Sequence, residues 1–297
     1  MRLTFPLHIH ISTLFLAIIL LAGGLIGGVG FSYSRHMLET TAADITGRIG
    51  RQTVQNLAAI VTPAEVAIDL ARFAPLRDPS LATTRFDRLA FLAAALAGSE
   101  SLSSIYVGRD DGDFFLLRRV RDDAERRAFG APEGTHFIAQ SIVGKAGRYT
   151  FLDADLAALR EDDRPDYAAS FDPRTRAWYT EAMAADGAIK TPPYLFFSNR
   201  KVGMTVATPL RSGGGVVGTD ILLETLSDEL RAETVTPHTL IALTDADGFV
   251  LAYSGGGTRI ATADLPPGEA PTLKRLDQFE SPPLAAAARL ALSLIHI

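Results

Sequence analysis

The chain has 297 residues, 47% of them hydrophobic, and a formal net charge of −5, enough material for one large domain or two modest ones. That charge, with no Lys/Arg run, excludes a general attraction to nucleic acid. Cysteine is absent, which excludes a disulfide framework, a thiolate metal site and a cysteine nucleophile, and suits an oxidising compartment.

From Leu3 to Ser34 there is no Asp, Glu, Lys or Arg. A bilayer-crossing helix needs roughly 20 mostly apolar residues, and the apolar core of a signal peptide is only about 7–15 long. The segment 11–33 is therefore expected to be an uncleaved membrane anchor, preceded by a cytoplasmic stub, 1–10. Arg2 before the span and Arg35, Arg48 and Arg51 after it do not fix its orientation by charge. Gly23, Gly24, Gly27 and Gly28 form two small-xxx-small pairs that let two such helices approach, so a homodimer through span and stalk is expected.

Residues 34–75 read as a stalk helix: Leu38, Ala42, Ile45, Ile49, Leu57 and Ile60 recur at three- or four-residue spacing, and Pro63 predicts a kink or break. A second helix is expected over 85–97, ended by Gly98. SLSSIYVGRDDGDFFLLRRV then reads as a β-hairpin around an acidic glycine turn, and TLIALTDADGFVLAYSGG repeats the pattern some distance downstream. The repeat predicts two related α+β modules, 76–235 and 236–283. Between the hairpins, GAPEGTHFIAQSIVG and RYTFLDADLAALREDDRPDYAAS read as loops and short elements. VGMTVATPL and GVVGTDILL read as central antiparallel strands leading into a helix. Residues 284–297 read as the truncated start of a helix or second span.

The catalytic signatures fail on context. Gly213, Gly215 and Gly218 match a dinucleotide fingerprint, but a strand follows where a helix is required. Asp245, Asp247 and Gly248 open like a calcium loop that lacks its closing Glu. The histidines are scattered, and no nucleophile elbow or phosphate loop is present. The segment is expected not to be an enzyme in itself, and no metal or cofactor is expected.

FDPRTRAWYTEAMAADG gathers two arginines, the only tryptophan and a tyrosine. Asp172 as N-cap and Pro173 at the first helical position predict one helix from 173 to 185, with Gly187 beyond its end. Arg176 and Tyr179 would share a face near its start, where free N–H groups and the guanidinium fork suit a carboxylate. Burial of Trp178 and Tyr179 in a core, with Arg176 lying over them, accounts equally for the spacing.

FDPRTRAWYTEAM, followed by PPYLFF, VGMTVATPL and GVVGTDILLETLSDEL, resembles the membrane-distal half of a double Cache domain. Such domains are extracytoplasmic sensors of bacterial chemoreceptors, sensor kinases and membrane-bound nucleotide cyclases. The resemblance implies an α+β fold with a transmembrane helix, a stalk helix and two tandem PAS-like modules carrying antiparallel sheets. It implies a receptor in the bacterial inner membrane that binds a small amino acid, carboxylate or amine. In the amino-acid-binding branch, residues matching Arg176 and Trp178 hold the ligand carboxylate, and those matching Tyr179, Tyr194 and Asp220 hold its ammonium. Phe171 stands where that branch has tyrosine, and Ala177 where proline is usual, so the ligand stays open. Two rivals stand beside this reading: a piece of a receptor enzyme (cyclase, cyclic-dinucleotide enzyme or histidine kinase), and a ligand-free ectodomain recognising a periplasmic protein.

Overall fold

A computed structural model describes residues 7–72, 86–185, 187–232, 234, 239–245, 247–255, 260 and 270–279. The expectation for 284–297, and much of that for 1–10 and 256–283, falls outside the described residues. The chain divides into two compact units, Met1–Asn56 and Leu57–Ile297.

The first unit is helical. Helix α1 has bounds Leu7–Ala71, with Pro63 inside it, so the expected break at that proline is not found. Its stretch Leu14–Thr41 has a mean hydropathy of 2.4 and is wholly exposed, and it is the one helix among the described residues long and apolar enough to cross a membrane. Near its C-terminal end Arg35 pairs with Glu39 one turn on, at 2.9 Å.

The second unit is built on one antiparallel sheet. After the end of α1 come α2 (Phe86–Ala97), β1 (Leu102–Arg109), β2 (Phe114–Arg119), α3 (Asp123–Ala128), β3 (Phe137–Val143), β4 (Ala146–Leu152) and β5 (Ala158–Asp163). Then follow α4 (Pro165–Ser170), a 3-10 turn (Pro173–Thr175), α5 (Ala177–Ala184), β6 (Ile189–Lys190), β7 (Tyr194–Leu195), β8 (Val202–Pro209), β9 (Gly215–Leu222) and α6 (Leu223–Ala232). The strand order is β5-β4-β3-β2-β1-β9-β8-β6, with β7 also on β8. Both expected strands of the first hairpin pair in register, Ser104 opposite Arg118 and Gly108 opposite Phe114. The glycines of the supposed fingerprint lie at the β8–β9 connection and in β9, with Gly213 and Gly214 at φ +70° and +74°, values that favour glycine.

The segment expected as loops instead supplies β3, β4 and β5. FIAQSIV escapes a period-two reading because it is buried on both faces, Gln140 and Ser141 included. At the sheet edge, ALREDD is charged and exposed, a composition that blocks edge-to-edge pairing with another chain.

Successive side chains point to opposite faces of a strand, which gives the sheet two cores. On one face, Ile105, Leu117 and Ile221 pack with Ala64 and Ile68 of α1, Leu92 and Leu96 of α2, and Leu226 and Leu230 of α6. On the other, Tyr106, Phe114 and Leu116 pack with Tyr167 of α4 and with Trp178, Tyr179 and Ala182 of α5. The second hairpin forms as β10 (Ala242–Thr244) and β11 (Val250–Tyr253). Its Asp245 carboxylate accepts the N–H groups of Asp247 and Phe249 and so closes the turn. Ala252 of β11 belongs to the same core as α6.

Candidate ligand-binding site

Close approach of α5 to the sheet depends on a missing side chain. A Cβ at Gly108 of β1 would lie 2.7 Å from Pro173 Cβ and 2.8 Å from Trp178 Cη2. The expected single helix from 173 to 185 is two pieces. Asp172 accepts the N–H of Arg174 and, through both oxygens, its guanidinium. This local turn competes with helix propagation. Arg176 is extended, at φ −88° and ψ 141°, and serves as the residue before α5. The two arginines therefore separate. Arg174 reaches the carbonyl of Asp110 in the β1–β2 turn, whereas Arg176 turns toward the sheet.

Between that face of the sheet, α4, α5 and the β7 region lies a narrow cleft with a cavity volume of about 40 Å³. Phe171, Arg176, Trp178, Tyr194 and Asp220 all line it, together with Tyr106 and Tyr167. Tyr179 is not among the lining residues. It is buried beside Trp178, ring centroids 5.7 Å apart, and Asp110 and Arg174 are among its charged neighbours. Of the residues matched by resemblance, Tyr179 is thus placed in the aromatic core and not at the cleft.

Asp220 is 5% exposed. Its Oδ1 accepts the hydroxyls of Tyr106 and Thr205, both at 2.7 Å, and its Oδ2 accepts that of Ser104 at 2.9 Å. Burial pushes this carboxyl above the usual carboxylate range, and the three donors and the charge of Arg118 only partly offset that. Tyr194 does not reach Asp220 directly. Its hydroxyl lies 2.7 Å from Thr205 Oγ1. Because Thr205 donates its one proton to Asp220, Tyr194 donates to Thr205, forming a Tyr194–Thr205–Asp220 chain. Burial raises the pKa of Tyr106 and of Tyr194, so both stay protonated donors.

Opposite the acid, the Arg176 guanidinium lies 4.7 Å from the Phe171 ring centroid and 4.8 Å from that of Phe197. Burial lowers its pKa from the usual arginine value, with Tyr194, Tyr167 and Asp172 opposing; the group remains a cation at any physiological pH. Trp178, 3% exposed, sets its ring edge-on to Tyr106 at 4.9 Å. The wall is aromatic: Phe171 contacts Phe114 at 4.7 Å and stacks on Tyr167 at 5.5 Å. Chemically, the cleft offers one anion wrapped in hydroxyls and one cation framed by phenyl rings, with apolar surface between. Among the described residues no group of three His, Cys, Asp or Glu side chains converges as for a metal ion.

Sequence reasoning missed Ser104, Tyr106, Tyr167 and Thr205. A faint signal existed for three of them: Ser104 and Tyr106 alternate on one face of β1, and Thr205 interrupts the apolar run of β8.

No protein-family model matches the chain. It is 38% identical over 131 residues to the methyl-accepting chemotaxis protein PscA of Pseudomonas syringae pv. tomato, covering 43% of this chain and 19% of that one. By sequence, part of this chain is similar to part of the methyl-accepting chemotaxis proteins. It is also 29% identical over 127 residues to PctB of Pseudomonas aeruginosa, covering 41% of this chain and 20% of that one. Adenylate cyclase 1 of Rhizobium meliloti is 32% identical over 174 residues, covering 57% of this chain and 26% of the cyclase. The chain thus spans about a quarter or less of the length of these curated relatives. Among solved structures, the ligand-binding domain of the Pseudomonas fluorescens chemoreceptor CtaA in complex with L-serine overlays with a TM-score of 0.44 at 20% identity, covering 70% of each chain. That of PctB in complex with L-Arg gives 0.42 at 22% identity, covering 70% of this chain and 64% of that one.

Proposed function

We propose that this chain is the extracytoplasmic sensing portion of a membrane-anchored bacterial receptor, and that its cleft holds the zwitterionic head of an amino acid. One observation carries the reading: a buried carboxylate, Asp220, and an aromatic-framed guanidinium, Arg176, line the same cleft from sheet and helix sides. Asp220 takes the ammonium, with Tyr106 and Thr205 keeping its carboxylate oriented. Arg176 takes the α-carboxylate, and Trp178 and Phe171 wall the side chain. A lone carboxylate or a lone amine satisfies only one end, and leaving the other buried charge unpaired weakens binding.

Residues 11–33 anchor the chain in the inner membrane with the sensor outside, 76–235 form the membrane-distal ligand module and 236–283 the proximal one. Two copies pair through span and stalk. Occupancy favours one arrangement of the modules, and the stalk carries the shift inward. The chemotaxis relatives support a signalling output of that kind. The cyclase relative favours a second reading of the output alone, a nucleotide cyclase driven by the same input. Cyclic-nucleotide levels in cells carrying the whole gene, with and without ligand, separate the two.

Calorimetric titration of the full chain in detergent with a panel of L-amino acids tests the site. Arg176→Ala is expected to lose about 1.5–3 kcal/mol of binding, the worth of a charged hydrogen bond. The matched amine lacking the carboxylate should lose a similar amount against the unaltered chain. Unchanged affinity in a cooperatively melting Arg176→Ala variant overturns the assignment.

A further inference from the structure

One buried cation has been given no contact with the ligand, although its charge favours the Asp220 carboxylate. Arg118 of β2 is 1% exposed. It lies on the strand face that bears the cleft, since Phe114 and Leu116, at alternate positions before it, are lining residues. In the sheet register Arg118 stands opposite Ser104, and Ser104 opposite Asp220. Arg118 and Asp220 therefore share a row, two strand spacings or about 10 Å apart. The Arg118 Nη2 donates to Ser198 Oγ. Ser198 lines this cleft and also a neighbouring one, bounded by Glu125, Phe129 and Tyr149 among others. Arg118 thus sits behind Ser198, at the partition between the two; neither it nor Gln140 is itself a lining residue, so a ligand atom reaches them only by taking the place of the Ser198 hydroxyl.

Its hydrogen bonding is incomplete. Nη1 lies 3.7 Å from Glu125 Oε1, close enough to balance charge but too far for a hydrogen bond. Nε and Nη1 have no acceptor among the described residues. Gln140 of β3, diagonal to Arg118 across the strand pair, is fully buried, and neither of its amide atoms has a partner among the described residues. Two adjacent buried side chains with unmet donors, on the face that carries the cleft, mark a place for an acceptor.

We infer that Arg118 is the specificity-determining residue of this site, receiving, with Gln140, an oxygen acceptor at the far end of the ligand's side chain. The inference rests on the amino-acid reading and adds the ligand's class: a side chain ending in a planar oxygen group. Glu125 already offsets the guanidinium charge. A carboxamide therefore fits without a further ion, whereas a carboxylate brings a second anion beside Glu125.

The test is titration of the full chain in detergent with L-glutamine, L-glutamate and L-leucine. L-glutamine is expected to bind at least about tenfold tighter than L-leucine, as for one charged hydrogen bond, and tighter than L-glutamate. Arg118→Met should abolish that preference, with L-glutamine and L-leucine then binding within about threefold of each other. Should Arg118→Met fail to fold, Gln140→Leu, which keeps the Arg118–Glu125 pair, must narrow the same ratio. Equal binding of L-leucine and L-glutamine by the unaltered chain, or an unchanged ratio in a folded variant, overturns the inference and leaves the head-group site standing. L-glutamate binding tighter than L-glutamine overturns the charge argument. If none of the three binds, the head-group reading fails and this inference fails with it.

Discussion

At Asp220 two effects oppose each other, and burial wins. Its carboxyl is held above its ordinary range despite three hydroxyl donors. The folded chain therefore binds this proton more tightly than the unfolded chain. The resulting stabilisation is complete below the ordinary carboxylate pKa of about 4 and is lost as pH rises through the raised value. Asp220→Asn removes that dependence, so the melting temperature of the variant minus that of the unaltered chain should increase with pH across this window. Amino-acid affinity should rise over the same window, as the carboxylate forms, and the limb should be missing in Asp220→Asn. Melting curves and titrations carried upward from about pH 4, the ordinary carboxylate value, check both. A pH-independent difference between the two chains would mean Asp220 is not the titrating group. Arg176 and Trp178 stand in one local motif and Asp220 is reached only through the family resemblance; the three line one cleft. Ser104 and Thr205 were not legible in the sequence: Ser104 meets Asp220 from 116 positions away, and the register that aligns them is fixed by pairing rather than by either strand's own pattern.

Among the elements, the hairpins announced themselves through alternation around an acidic glycine turn, and both formed. The helix at the cleft was half read. Asp172 and Pro173 do start a helical turn, but the carboxylate's bonds to Arg174 close it after three residues, and α5 begins afresh behind Arg176. That interruption is what points the guanidinium inward. Strands β3 to β5 were missed because burial on both faces, or exposure at an edge, erases the alternation on which strand reading depends. The seat of α5 gives a direct check. Gly108→Ala inserts a methyl group less than 3 Å from Pro173 and Trp178, and overpacking of this kind costs about 1–3 kcal/mol. Chemical denaturation should show that loss, and titration a weaker ligand, since Trp178 and Arg176 shift together. A neutral Gly108→Ala would contradict the contact between β1 and α5.

For the whole molecule, the proposed dimer makes a geometric demand on the exposed apolar helix. Gly24 and Gly28 lie one turn apart, while Ile26 lies about 200° round the helix from Gly24. The sequence has no cysteine, so single substitutions report without background. Oxidative cross-linking in membranes should be strong for Gly24→Cys and Gly28→Cys and weak for Ile26→Cys. Equal yields at all three positions would remove the glycine face from the interface.

Strand β9 ends at Leu222 and α6 begins at Leu223, with no linker between them. Asp220 is thus joined to the first turn of α6 through two residues of taut backbone, and a strand cannot be stretched to absorb displacement. Any tug that an ammonium exerts on this carboxylate is handed on to a helix that also packs in one core with the β10–β11 hairpin. Slowed amide exchange at the start of α6 on ligand addition would register that pull at its point of delivery.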